Sequence, residues 1–148
     1  MKLSTKRLGE IDLREQKLFS FPEGLLGFPQ VHRFVVLNYA DDSPFKWLQS
    51  VDDPHLAFII IDPLLFRPDY HVALTEALRR ELGVTESSDL VLAVIVTVRE
   101  APEDISANLQ GPLLFNHRTL LGKQIVLSDS QYTTRHYILR EMRELVNV

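Results

Sequence analysis

Cysteine is missing from all 148 positions. Its absence excludes disulfides, thiolate zinc sites and cysteine nucleophiles. No apolar run approaches the ~20 residues that span a bilayer. The N-terminus, MKLSTKRLGEIDL, lacks the apolar core of a signal peptide and carries Glu10 and Asp12 early. A cytoplasmic protein is expected on these grounds. An excess of positive charge is also missing. Sixteen Lys and Arg stand against 20 Asp and Glu, for a formal net charge of −4 with His neutral. A mildly acidic chain argues against direct nucleic-acid binding, because phosphate neutralisation needs a basic face, although a net charge of −4 leaves room for a small basic patch.

Catalytic signatures are missing as well. There is no G-x-S-x-G nucleophile elbow. There is no P-loop and no G-x-G-x-x-G cradle, and the GLLG of Gly24 to Gly27 has the wrong spacing for either. His32, His55, His71, His117 and His136 include no pair three or four residues apart, so no helical metal pair exists. No cofactor or metal is expected. The remaining acid–base candidates are Asp52, Asp53 and Asp62, which define the alternative reading of a small hydrolase. Asp beside Pro is more often a turn former, its side chain accepting from nearby backbone N–H groups.

What is present centres on Trp47 to Tyr70, WLQSVDDPHLAFIIIDPLLFRPDY, which holds the only Trp. Leu56 to Ile61 reads as a strand. Asp53-Pro54, Asp62-Pro63 and Pro68-Asp69 interrupt any ladder on either side of it, because Pro has a fixed φ and no N–H. A buried strand between two stiff acidic corners is expected, with Phe66 and Tyr70 as partly exposed aromatics at the second corner.

The rest of the chain reads as short strands with two helices. Residues 1–20 alternate as strands, with a turn at Gly9 and a strand over 16–21. FPEGLLGFP at 21–29 has two Pro and two Gly and forms a shaped loop whose apolar side chains fold back. Strands are expected over 33–39, 45–51, 56–61, 113–116 and 123–128. Leu90 to Val98 is apolar at almost every position, which suits a strand covered on both faces. Leu74, Leu78 and Leu82 recur every four residues and predict a helix near 72–82, ended by Gly83. A second helix is expected over 133–148. The chain has the length of one domain, 1–148. The expected fold is mainly β, a small barrel-like or sandwich arrangement with these helices added.

Four separated blocks carry a resemblance: FPEGLLGF at 21–28, the organising stretch at 47–70, ANLQGPLLFN at 107–116 and GKQIVL at 122–127. In this order and spacing they resemble the FliW family of flagellar assembly factors. The tail helix lies beyond the blocks. The resemblance implies a non-enzymatic cytoplasmic protein that binds flagellin. It implies also that the protein binds CsrA, a dimeric RNA-binding translational repressor, and antagonises it allosterically. Repression of flagellin translation is then relieved until flagellin competes for the factor. A mildly acidic protein suits a basic partner, since complementary charge raises on-rate and specificity. The expected contact residues are Asp52 and Asp53 at one corner and Asp62, Phe66, Asp69 and Tyr70 at the other, with Asn108 and Asn116 bracketing a nearby strand. No membrane partner and no direct nucleic-acid partner is expected.

Overall fold

A computed structural model describes residues 2–5, 9–12, 16–129 and 131–146. Among these the chain forms a two-stranded hairpin and one large antiparallel sheet. The hairpin pairs β1 (Lys2–Thr5) with β2 (Gly9–Asp12), so Gly9 opens a strand where a turn was expected. The large sheet runs β10-β9-β7-β6-β5-β4-β3. Its members are β3 (Leu18–Ser20), β4 (Arg33–Asn38), β5 (Lys46–Ser50), β6 (Ala57–Ile61), β7 (Leu90–Thr97), β9 (Leu113–Asn116) and β10 (Gly122–Gln124). β8 (Ser106–Ala107) pairs with β7 and carries β11 (His136–Tyr137) on its other side.

The sheet curls until its two ends meet. Ser20 and Leu121 form a parallel bridge, and Ser20 N donates to Leu120 O at 2.8 Å. The result is a small barrel, one of the two arrangements, barrel-like or sandwich, expected for this many short strands. Successive residues of a strand point to opposite faces. Phe34 and Val36 on β4, Phe58 and Ile60 on β6, and Ala93 and Ile95 on β7 therefore point inward. They meet Phe19, Phe21, Leu48, Leu113 and Phe115. Phe21 sits edge-on to Phe34 and to Phe115, each with centroids 5.4 Å apart.

A second core covers the outside of β6 and β7. Ile61, Val94 and Val96 pack there with Phe66, Tyr70, Leu109, Tyr132 and Ile138. The double covering of β7 holds only over its middle, because Val91 and Val98 near its two ends are exposed. Outside β4, Val35 packs with Val51, Leu18, Leu37 and Leu3.

Both helices are shorter than their periodicity predicts. α1 is Glu76–Leu82, because Thr75 caps it: Thr75 Oγ1 accepts from Leu78 N at 3.1 Å. Leu74 lies before the cap. Gly83 ends α1 in the left-handed conformation, φ 66. α2 is Ile138–Val146. The preceding His136 and Tyr137 pair with Ala107 and Ser106, and this ladder competes successfully with helix over 133–137. The final β-run is also shorter, since Gly122–Gln124 alone find partners on β9 and 125–128 do not join the strand.

The α1–β7 connection supplies a pH-dependent element. Asp89, 6% exposed, accepts from Thr85 N and Glu86 N, then from Thr85 Oγ1 and Arg118 Nε. Those backbone donors hold its carboxyl down to about 2. A carboxylate lowered in the fold stabilises fully above its unfolded pKa near 4, and that contribution is lost as pH falls through about 2. Asp89→Asn is therefore expected to lower the denaturation midpoint at pH 7. The gap from the parent should narrow steadily between pH 4 and pH 2 in a series of urea melts.

Candidate protein-binding face

The two acidic corners lie at opposite ends of β6, separated by about 17 Å at ~3.4 Å per residue. The first follows β5. Gln49 is 1% exposed and donates through Nε2 to Pro54 O and Leu56 O, each at 3.2 Å. Ser50 Oγ accepts from Asp53 N at 2.9 Å, and Asp53 Oδ1 accepts from His55 N at 3.0 Å. Asp53 thus forms an Asx turn. Asp52 is exposed and takes the guanidinium of Arg33 from the neighbouring strand. That pair is solvated on both sides and contributes little to stability. This corner is built mainly to turn the chain.

The second corner follows β6. Asp62 Oδ1 accepts from Leu64 N at 2.9 Å and so caps a single 3-10 turn, Pro63–Leu65. The turn lifts Leu64 and Leu65 into solvent at 45% and 51% exposure. Phe66 and Tyr70 do not follow them. Phe66 is 1% and Tyr70 5% exposed, which corrects the expectation of partly exposed aromatics. The correction has a local cause. Tyr70 OH donates to Leu109 O, and its ring lies edge-on to Tyr132 at 4.8 Å. Burial, then the neighbouring Tyr132, pushes the Tyr70 phenol above its ordinary range, so it stays a donor. These rings anchor the corner from within.

Arg67 locks the corner to the C-terminal segment. Its Nε donates to Asp69 Oδ1 at 3.0 Å, Nη1 to Glu141 Oε1 at 3.2 Å, and Nη2 to Gln131 Oε1 at 3.0 Å. Its guanidinium also lies over the Tyr132 ring. His136 Nε2 accepts from Thr133 N, and Nδ1 faces Glu141 Oε1 at 2.6 Å. The Asp69 side chain remains 71% exposed despite its bond to Arg67. Beside it a groove of about 370 Å³ runs between Phe66–Asp69 and the Glu141, Glu144 and Leu145 side chains of α2. The face thus combines exposed carboxylates with exposed Leu64, Leu65 and Leu145.

The contribution of α2 is absent from the sequence-based site. Its signal was present in the amphipathic pattern of the tail, where Met142 and Leu145 recur three residues apart and both are exposed. Asn108 and Asn116 belong to turns. Asn108 Oδ1 accepts from Gln110 N and Gly111 N. Asn116, wholly buried, donates through Nδ2 to Leu82 O at 2.8 Å and accepts at Oδ1 from Arg118 N and Thr119 N. Its side chain joins α1 to the β9–β10 hairpin and does not reach the surface.

Asp52, Asp53 and Asp62 do not converge on one site. Asp52 and Asp53 lie at one end of β6 and Asp62 at the other, with Asp53 and Asp62 also engaged in turns. No group of three or more His, Cys, Asp or Glu is placed to hold a metal among the described residues. No helix among them is long and apolar enough to cross a membrane. A closed barrel with rigid, exposed acidic and apolar corners has the form of a protein-binding module.

Comparison with known proteins gives that module a family. The FliW protein family matches residues 2–138. The flagellar assembly factor FliW of Caldanaerobacter subterraneus subsp. tengcongensis is 40% identical over 144 residues, covering 97% of this chain and 96% of that protein. That of Geobacter sulfurreducens is 43% identical over 136 residues, covering 92% and 85%. A crystal structure of the flagellar assembly factor FliW superposes with a TM-score of 0.84 at 38% identity, covering 93% of this chain and 96% of that one. The chain belongs to the FliW family of flagellar assembly factors, a family of regulatory proteins and not of enzymes. The family match ends at Ile138, the first residue of α2, while the alignment with the Caldanaerobacter protein covers 97% of this chain and so extends into α2.

Proposed function

We propose that this protein acts in the cytoplasm as a partner-switching regulator. It binds flagellin, and it binds a CsrA-type translational repressor and antagonises it allosterically. Free regulator holds the repressor away from flagellin messages, and accumulating flagellin takes the regulator back. The observation that carries this reading is the near full-length similarity to flagellar assembly factors. The geometry supports it at the second corner. Asp62 and Asp69 present carboxylates outward on a backbone fixed by the 3-10 turn and by Arg67, with Leu64 and Leu65 exposed between them. Apolar anchors flanked by charge are the usual centre of an interface, and acid there complements a basic RNA-binding partner. Phe66 and Tyr70 hold this surface from beneath. The Asp52–Asp53 corner is at most peripheral to it.

The test is a titration of purified repressor at low salt against the parent and against Leu65→Ser with Asp69→Lys. Both positions are exposed, so the variant should melt within a few degrees of the parent. The parent should form a stoichiometric complex, and the variant's Kd should rise about tenfold or more. No complex with the parent would sink the reading. An unchanged Kd for the variant would move the surface elsewhere.

A further inference from the structure

The barrel core is not filled at one end. Phe19, Ala93 and Phe115 floor a cavity of about 210 Å³ that opens between the ends of the strands, with Val36, Ile60 and Val91 as its walls. An apolar cavity of ~150 Å³ already stays dry and admits a benzene ring, so this one has room for a ring with a short substituent. Small barrels of about eight strands can hold one small ligand in their interior. The rim is polar and mixed in sign. Lys46 and Asp62 both line the opening. Lys46 lies opposite Ile60 in the β5–β6 register, and Asp62 is two residues further on, so both belong to the inward-facing set. Lys46 Nζ donates to Asn38 Oδ1 at 2.8 Å and keeps further protons. Asp62 uses Oδ1 on Leu64 N and keeps a second oxygen.

We propose that this mouth binds a small neutral molecule, a single ring or branched chain of about seven carbons bearing a hydroxyl or amide. The hydrocarbon part enters the cavity. The polar end accepts from Lys46 and donates to Asp62. A head of either charge gains one partner at the rim but meets one like charge, Asp62 or Lys46, so a neutral polar head that accepts from one and donates to the other is favoured. The site shares Asp62 with the proposed partner-binding face, but it is tested on the chain alone and stands or falls without a partner.

The probes are benzyl alcohol, benzoate and benzylamine, titrated into the full chain with ¹³C-methyl NMR. Benzyl alcohol should bind saturably with a Kd of about 1 mM or tighter, shifting Val36, Ile60 and Val91. The two charged probes should bind at least about tenfold more weakly. Ala93→Leu fills the floor and should abolish the shifts. Val91→Trp, at a half-exposed rim position, should do the same without touching the core. No saturable binding up to about 10 mM would overturn the proposal. So would equal binding of all three probes, or shifts that survive both substitutions.

Discussion

Gly122→Ala is expected to destabilise the protein by about 3 kcal/mol, near the top of the range for overpacking a filled core. A Cβ at this position falls inside the Phe21 ring, against three of its carbons. The ring has nowhere to go. Phe21 is fully buried and is held edge-on by Phe34 and Phe115. The backbone cannot retreat, because Gly122 pairs with Phe115 on β9 and lies next to the Ser20–Leu121 bridge that closes the barrel. A total stability of ~5–15 kcal/mol makes such a loss visible in any urea melt. Two controls separate crowding from backbone effects. Gly27→Ala, with φ 84 but open space around it, should cost only about 1 kcal/mol. Phe21→Leu combined with Gly122→Ala should cost less than the sum of the two single changes.

Asn116→Ala is expected to cost about 3 kcal/mol through a different mechanism. Its side chain carries no apolar packing that Ala would forfeit on a comparable scale. It satisfies Leu82 O at the end of α1 and the N–H groups of Arg118 and Thr119 in the β9–β10 turn. Truncation leaves both N–H groups without that acceptor, while Leu82 O keeps the Thr119 hydroxyl at 2.9 Å. The loss spreads to the closure. Leu120 has φ 63, a conformation that a β-carbon disfavours by about 1 kcal/mol. Its N–H donates to Asn116 O, and its carbonyl accepts from Ser20. Loosening the turn therefore frees the strained residue on which the barrel seam hangs. Hydrogen exchange should report faster opening at Ser20 and Leu120 than at Ile60.

These two sites mark what was legible in the sequence and what was not. The β-branched and aromatic runs over 33–39 and 56–61 mark strands, and the Asp-Pro pairs set the ends of β6. Both are local signals and both agree with the fold. The seam is different. A left-handed Leu120 has no signature in sequence, and the Gly122–Phe21 contact joins residues a hundred positions apart. Tail residues 133–137 read as helix because a two-residue ladder with Ser106 and Ala107 leaves no periodicity. At the candidate site, the exposure of Asp62 and Asp69 follows from Pro and turn chemistry. The burial of Phe66 and Tyr70 depends on Leu109 and Tyr132, which only the tertiary fold brings there. Aromatic residues flanking Pro68 read as surface because the corner is exposed, whereas its inner side is core.

The measurement that bears most directly on the central claim is a competition titration. The complex of this protein with a CsrA-type repressor is titrated with monomeric flagellin, and free repressor is followed by its recovery of RNA binding. Partner switching predicts stoichiometric exchange, with repressor released as flagellin binds and no species containing all three. A stable ternary complex, or a repressor that stays bound through excess flagellin known to bind the free protein, would contradict it.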